Sequence, residues 1–234
     1  MFRRPVHQSV LAVLGALRAD FLASCRFLFG GGTRIVLQLD EFRESRGVDF
    51  LCSDAAGYAE LRLAAVQHSY AGLFENPGEA GISFPRELRV DQYGIRFPLI
   101  CGEQQMKVEL FREARITLDP GVRPEWSPVE CLSLTDCFAE TLLALSDRWA
   151  DRQIFSRDLI DLAVLRARVG PIPLEAWSKA EAAYKTAPRL DLEKALAALE
   201  EDSEYRERSF AGLRIEDPTR VAVGLTLLRQ DLGG

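Results

Sequence analysis

Histidine is scarce in this chain. His7 and His68 are the only two among 234 residues, and neither stands near a serine or cysteine in a nucleophile motif, which argues against a hydrolytic triad. The five cysteines are odd in number and include no C-x-x-C pair, which argues against a disulfide framework and against a zinc site. Cys52 and Cys101 fall in strand-like runs and read as buried thiols. No apolar run approaches the roughly 20 residues of a membrane span. Two arginines and an apolar stretch at the N-terminus imitate a signal peptide. However, His7, Gln8 and Ser9 interrupt the stretch and Arg18 and Asp20 follow it, so it reads as an amphipathic helix. Positive charge in excess is also missing: the formal net charge is -6, and Lys and Arg are scattered rather than interleaved with aromatics. That disfavours a dedicated nucleic-acid module. What remains is an ordinary globular composition, with 47% hydrophobic and 27% charged residues, expected in the cytoplasm without a membrane partner.

The stretch Arg26 to Cys52 organises the rest. Phe27 to Phe29 is a short apolar run. Gly30, Gly31 and Gly32 follow, and Thr33 opens a segment with a helix-like apolar face made by Ile35, Val36, Leu37 and Leu39. A charged link, Asp40 to Arg46, leads to a second apolar run, Val48 to Cys52, which carries Asp49. The grammar is strand, glycine turn, helix, strand. Glycines let the backbone bend tightly and leave the amides open to approach. The first N–H groups of a helix are unpaired and lie at its positive end, where a phosphate binds. The spacing matches neither a Walker A loop nor the dinucleotide fingerprint.

Helical spacing of Val6, Val10, Val13, Leu14, Leu17 and Phe21 predicts one helix over 6–24, and a second is expected over Tyr58 to Gln67. The chain turns at Asn76-Pro77-Gly78. From Glu87 to Leu118 the period becomes two, giving strands of one sheet joined by turns at Tyr93-Gly94 and Gly102-Glu103. Lys107, Glu109 and Phe111 share one strand face and Val108 and Leu110 the other. Glu109 is thus either an acid on a solvated sheet face or part of a site. Pro120, Pro124 and Pro128 mark a linker. Helices are expected from Ser133 to Ala150, with Ser133 or Thr135 as cap, from Ser156 to Val169, and near 174–186, 190–201 and 217–231.

The order GGT, helix, then Arg43-x-Ser45-x-Gly47-Val48-Asp49-Phe50 resembles the nucleotidyltransferases of the AbiEii/AbiGii toxin family, which carry GGT followed by R-x-S-x-D-[IVL]-D-F. Ala139-Glu140-Thr141-Leu142-Leu143-Ala144 is similar to the family's A-E-K-L-L-A helix, and Arg157-Asp158-Leu159-Ile160-Asp161-Leu162 matches its R-D-x-x-D-L in full. The resemblance spans most of residues 26 to 165. It implies an α/β (α+β) fold, with a nucleotidyltransferase-like mixed sheet and helices over 1–125 and a helical domain over 126–234. It also implies transfer of a nucleotide from an NTP to a protein or RNA acceptor with Mg²⁺, and a possible antitoxin protein as partner. Asp49 and Glu109 would be the catalytic and metal-holding acids, on adjacent strands facing one cleft. Gly31, Gly32, Thr33, Arg43, Ser45, Arg157 and Asp161 would bind nucleotide or phosphate.

The sequence departs from the pattern twice. Gly47 replaces the first aspartate, and Thr141 replaces the lysine that would meet the triphosphate. Two aspartates one residue apart on a strand point the same way and can grip metal ions together. Glu44 or Asp54 could stand in for the missing acid and Arg148 for the lysine. Otherwise the chain is a degenerate member, retaining a nucleotide pocket or serving as a partner surface. Arg157, Asp158 and Asp161 could equally be i, i+4 pairs on a helix surface.

Overall fold

The computed structural model describes residues 2–233 and divides them into two compact units. One holds residues 2–34 and 45–133; the other holds residues 35–44 and 134–233.

The first unit is built on a mixed six-stranded sheet. Its strands are β1 (Leu28–Gly30), β2 (Gly47–Cys52), β3 (Ile82–Ser83), β4 (Arg89–Val90), β5 (Gly94–Cys101) and β6 (Gln104–Arg112). Their order is β1-β2-β6-β5-β3, with β4 also on β5. Only β2 and β6 run parallel. Alternation sorts the side chains. Val48, Phe50, Val108, Leu110, Phe97 and Leu99 are buried on one face, where Phe50 meets Phe29 with ring centroids 5.6 Å apart. The opposite face carries Gly47 and Asp49 on β2, Lys107 and Glu109 on β6, and Arg96 and Pro98 on β5, and is more open.

The expected helix over 6–24 is two helices, α1 (Pro5–Ala16) and α2 (Ala19–Ser24). Leu17 is extended, with ψ 152°, and Arg18 N–H donates to the Leu73 carbonyl at 2.9 Å. A tertiary hydrogen bond thus takes the place of the helical one, which periodicity cannot register. The glycine turn also differs in detail. α3 (Gly31–Gln38) begins at Gly31 rather than at Thr33, so the glycines form its first turn. α4 (Ala55–His68) starts from Asp54, whose side chain accepts from Gly57 N–H.

The chain leaves the first unit at Arg34, within α3, and the rest of that helix belongs to the second unit. There it joins α5 (Leu134–Arg148), α6 (Arg157–Arg168), α7 (Leu174–Tyr184), α8 (Ala187–Glu201), α9 (Ser203–Gly212) and α10 (Pro218–Leu232). α6 is the centre, buried continuously from Asp158 to Leu165. α10 lies close on it because Gly224 has no side chain: a Cβ there would stand 2.0 Å from the Ala163 carbonyl oxygen. All five cysteines are free and buried, and burial pushes the Cys52 thiol up to about 11. Among the described residues no helix is long and apolar enough to cross a membrane.

Candidate active site

The open sheet face brings Asp49 and Glu109 together. They are direct partners in the parallel β2–β6 ladder, as are Gly47 and Lys107. Direct partners in a ladder present their side chains to the same face, so the two acids stand side by side. α3 starts beside them. Gly30 pairs with Asp49 across β1 and β2, and the next residue, Gly31, has φ +65°. The Asp49 carboxylate lies so close that a Cβ on Gly31 would be 2.7 Å from Oδ2. Glycine is thus required at this position for its conformation and for the approach of the acid. Placing a carboxylate against the first turn of a helix is electrostatically favourable. Two residues on, the Thr33 and Ser45 hydroxyls are 2.7 Å apart.

His7, which the sequence offers only as a residue of a terminal helix, supports this turn. It is fully buried and accepts the Ser45 N–H through Nε2 at 3.1 Å, which leaves the proton of the neutral ring on Nδ1. A polar residue on the apolar side of α1 was the available signal.

Glu109 already has cationic partners. Lys107 Nζ is 2.9 Å and Arg96 Nε is 3.4 Å from its Oε1. Gly47 adds no ligand, and a Cβ there would lie 3.2 Å from Asp49 Oδ2. Magnesium binds through oxygens, chiefly carboxylates, phosphates and water. Among the described residues no three or more His, Cys, Asp or Glu side chains are grouped to hold a metal ion. Two acids, one of them engaged by two cations, do not fit the metal-ion pair that nucleotidyl transfer uses.

The remaining expected residues belong to the second unit. Arg43 and Asp161 are paired with each other. Arg43 Nε and Nη2 each donate to the carboxylate at 2.6 Å, and both residues are buried, at 3% and 2% exposure. Burial works against the guanidinium, but the charge and hydrogen bonds of Asp161 raise Arg43 above its ordinary value. Asp158 accepts two bonds from Arg148, at 2.7 and 2.8 Å. Arg157 is half-exposed and 3.8 Å from Asp158. Thr141 is buried and donates to the Cys137 carbonyl at 2.6 Å, one turn back in its own helix.

The model of one protein family, the nucleotidyl transferase AbiEii toxin of type IV toxin–antitoxin systems, matches residues 13–219. The chain belongs to this family. Two solved structures from Helicobacter pylori share the fold. JHP933 is 14% identical, covering 99% of this chain and 93% of its own, with a TM-score of 0.55. A candidate nucleotidyltransferase is 16% identical, covering 97% and 92%, with a TM-score of 0.50. No curated protein matches the sequence.

Proposed function

We propose that this AbiEii-family chain binds a nucleoside triphosphate on the open sheet face at the start of α3, and that its transfer chemistry is degenerate. The observation that carries this reading is the acid pair itself. Asp49 and Glu109 are in register beside a glycine-opened helix N-terminus, yet Gly47 leaves the third position empty of oxygen and Lys107 and Arg96 engage Glu109. Gly31, Gly32 and Thr33 would contribute amides to phosphate, and Ser45 would hold Thr33. Arg157 belongs to the second unit, where it lies 3.8 Å from Asp158, and no phosphate role is proposed for it. Arg43 and Asp161 are spent on each other and act as a structural tie. Thr141 supplies no charge. Such a protein would work in the cytoplasm as a nucleotide-binding or protein-interaction module.

The family's own chemistry is the second reading, with transfer from an NTP to a protein or RNA acceptor using Mg²⁺ and opposed by an antitoxin protein. The in-register acids favour it. Calorimetry with each NTP, with and without Mg²⁺, and labelled-nucleotide transfer separate the two. Binding without transfer is expected. Strong Mg²⁺-dependent transfer by the unaltered chain would overturn degeneracy, and absence of any binding would leave the partner-surface role alone.

A further inference from the structure

The mismatch between this site and a metal ion has a constructive side. We infer that the open sheet face takes the phosphates of its nucleotide without a divalent cation, with Lys107 and Arg96 supplying the positive charge. The inference rests on the nucleotide-binding reading above and goes beyond it in naming what neutralises the phosphates.

Three neighbouring strands make the arrangement. Register places Gly47 beside Lys107, Asp49 beside Glu109, and Arg96 on the other side of Glu109. Lys107 and Arg96 therefore flank the carboxylate where a metal would sit, at 2.9 and 3.4 Å. Arg96 also reaches Asp91 at the rim, at 2.8 Å. A pocket of about 530 Å³ opens beside them, and Arg46, Gly47, Arg86, Pro98, Gln105 and Lys107 are among its lining residues. That volume lies within the range of small-ligand sites. The charged residues lining that pocket are Arg46, Arg86 and Lys107, all basic.

The two departures from a metal centre agree with one another. An aspartate at position 47 would add negative charge to the pocket lining and crowd Asp49. Glycine leaves both the space and the charge balance to an anion. A divalent ion approaching Glu109 would have to displace a lysine and an arginine and then remain beside them. A phosphate has only to exchange places with one carboxylate, and Lys107, whose side chain is 63% exposed, can turn from Glu109 to it without being unburied. Charge-assisted bonds from lysine and arginine are the strong ones in such a setting.

The test is calorimetric titration of the intact chain with ATP, GTP, CTP, UTP and inorganic tripolyphosphate, in EDTA and in Mg²⁺. The Lys107→Ala and Glu109→Gln variants are carried alongside, with circular dichroism to confirm folding. The affinity for the preferred nucleotide should be the same in EDTA and Mg²⁺ within about twofold, well inside the 1.4 kcal/mol of a tenfold change. Lys107→Ala should weaken it by roughly tenfold or more, as loss of a charged hydrogen bond does. Glu109→Gln should tighten it by roughly two- to fivefold, because a partly exposed ion pair that competes with phosphate is removed. A metal-ligand role for Glu109 demands the opposite sign. Binding that needs Mg²⁺ and is weakened by Glu109→Gln overturns the inference and leaves nucleotide binding standing. Tripolyphosphate binding alone, sensitive to Lys107, supports the cation set and removes the nucleoside. No binding in either condition removes both. Should Glu109→Gln unfold, the Lys107→Ala result in EDTA decides, since an exposed lysine can be truncated without loss of the core.

Discussion

At the scale of single residues, Gly31 is the most constrained position of the site. An alanine there would meet a left-handed backbone, at φ +65°, and the Asp49 carboxylate at 2.7 Å. Gly31→Ala should therefore destabilise the chain by about 1–3 kcal/mol, measured as a shift in the urea midpoint with an unchanged slope. Placing the same change in an Asp49→Ala background separates the causes. The part due to the carboxylate contact should vanish and the backbone part should persist. Equal losses in both backgrounds would mean that Asp49 yields freely and that the contact constrains nothing.

At the scale of elements, the link between α3 and β2 is held by charge. Asp40 meets Arg168 at 2.7 Å, Glu44 meets Arg214 at 2.9 Å, and Arg43 meets Asp161 in a buried two-bond pair. The first is exposed on both sides and the second on its arginine side, and such pairs contribute little. The third is different in kind, because removing one partner strands a buried charge. Arg43→Met should cost about 3–5 kcal/mol, and adding Asp161→Leu to it should recover most of the loss. Thermal melts of the four members of this cycle measure it; equal loss in the single and double variants would contradict a charge origin. The same pair marks what the sequence can and cannot disclose. Arg43 and Asp161 stand in motifs that are recognisable in the chain, yet they lie 118 positions apart and nothing local says that they meet. The alternation of Lys107, Val108, Glu109 and Leu110 is legible, because strand period and burial are the same signal. So are α5 and α6, whose apolar faces repeat at helical spacing. β3 is too short, at two residues, to show any period. α9 is a charged run in which only Tyr205 and Ser209 are buried; its one local cue is Asp202, which accepts from Tyr205 N–H. The pairings of Glu109 with Arg96 and with Asp49 needed the register to be known.

At the scale of the whole molecule, the division of the chain is discontinuous. Residues 35–44 cluster with 134–233, although the first unit surrounds them in sequence on both sides. Ile35, Val36, Leu37, Leu39 and Phe42 are all buried. A fragment ending at Ser133 keeps these side chains and loses the helices among which they pack. It should be aggregation-prone and bind a hydrophobic dye, unlike the intact protein. Replacing the buried apolar residues of 35–44 by polar ones should improve the solubility of the fragment and damage the full chain. A fragment that is monomeric and cooperative without such changes would show that residues 35–44 have no need of the helices.

The same discontinuity sets a timetable for synthesis. The second unit resumes at residue 134, and 134 minus 44 is 90 residues after the segment 35–44 has been made. At translation rates of roughly 5–20 residues per second, that interval lasts about 5–20 seconds. Throughout it, Ile35, Val36, Leu37, Leu39 and Phe42 await the helices with which they cluster. The sheet around Asp49 and Glu109 can close in the meantime, since its last strand ends at Arg112. On the ribosome, the strands that carry Asp49 and Glu109 are therefore complete before the helices that cluster with residues 35–44 have been made.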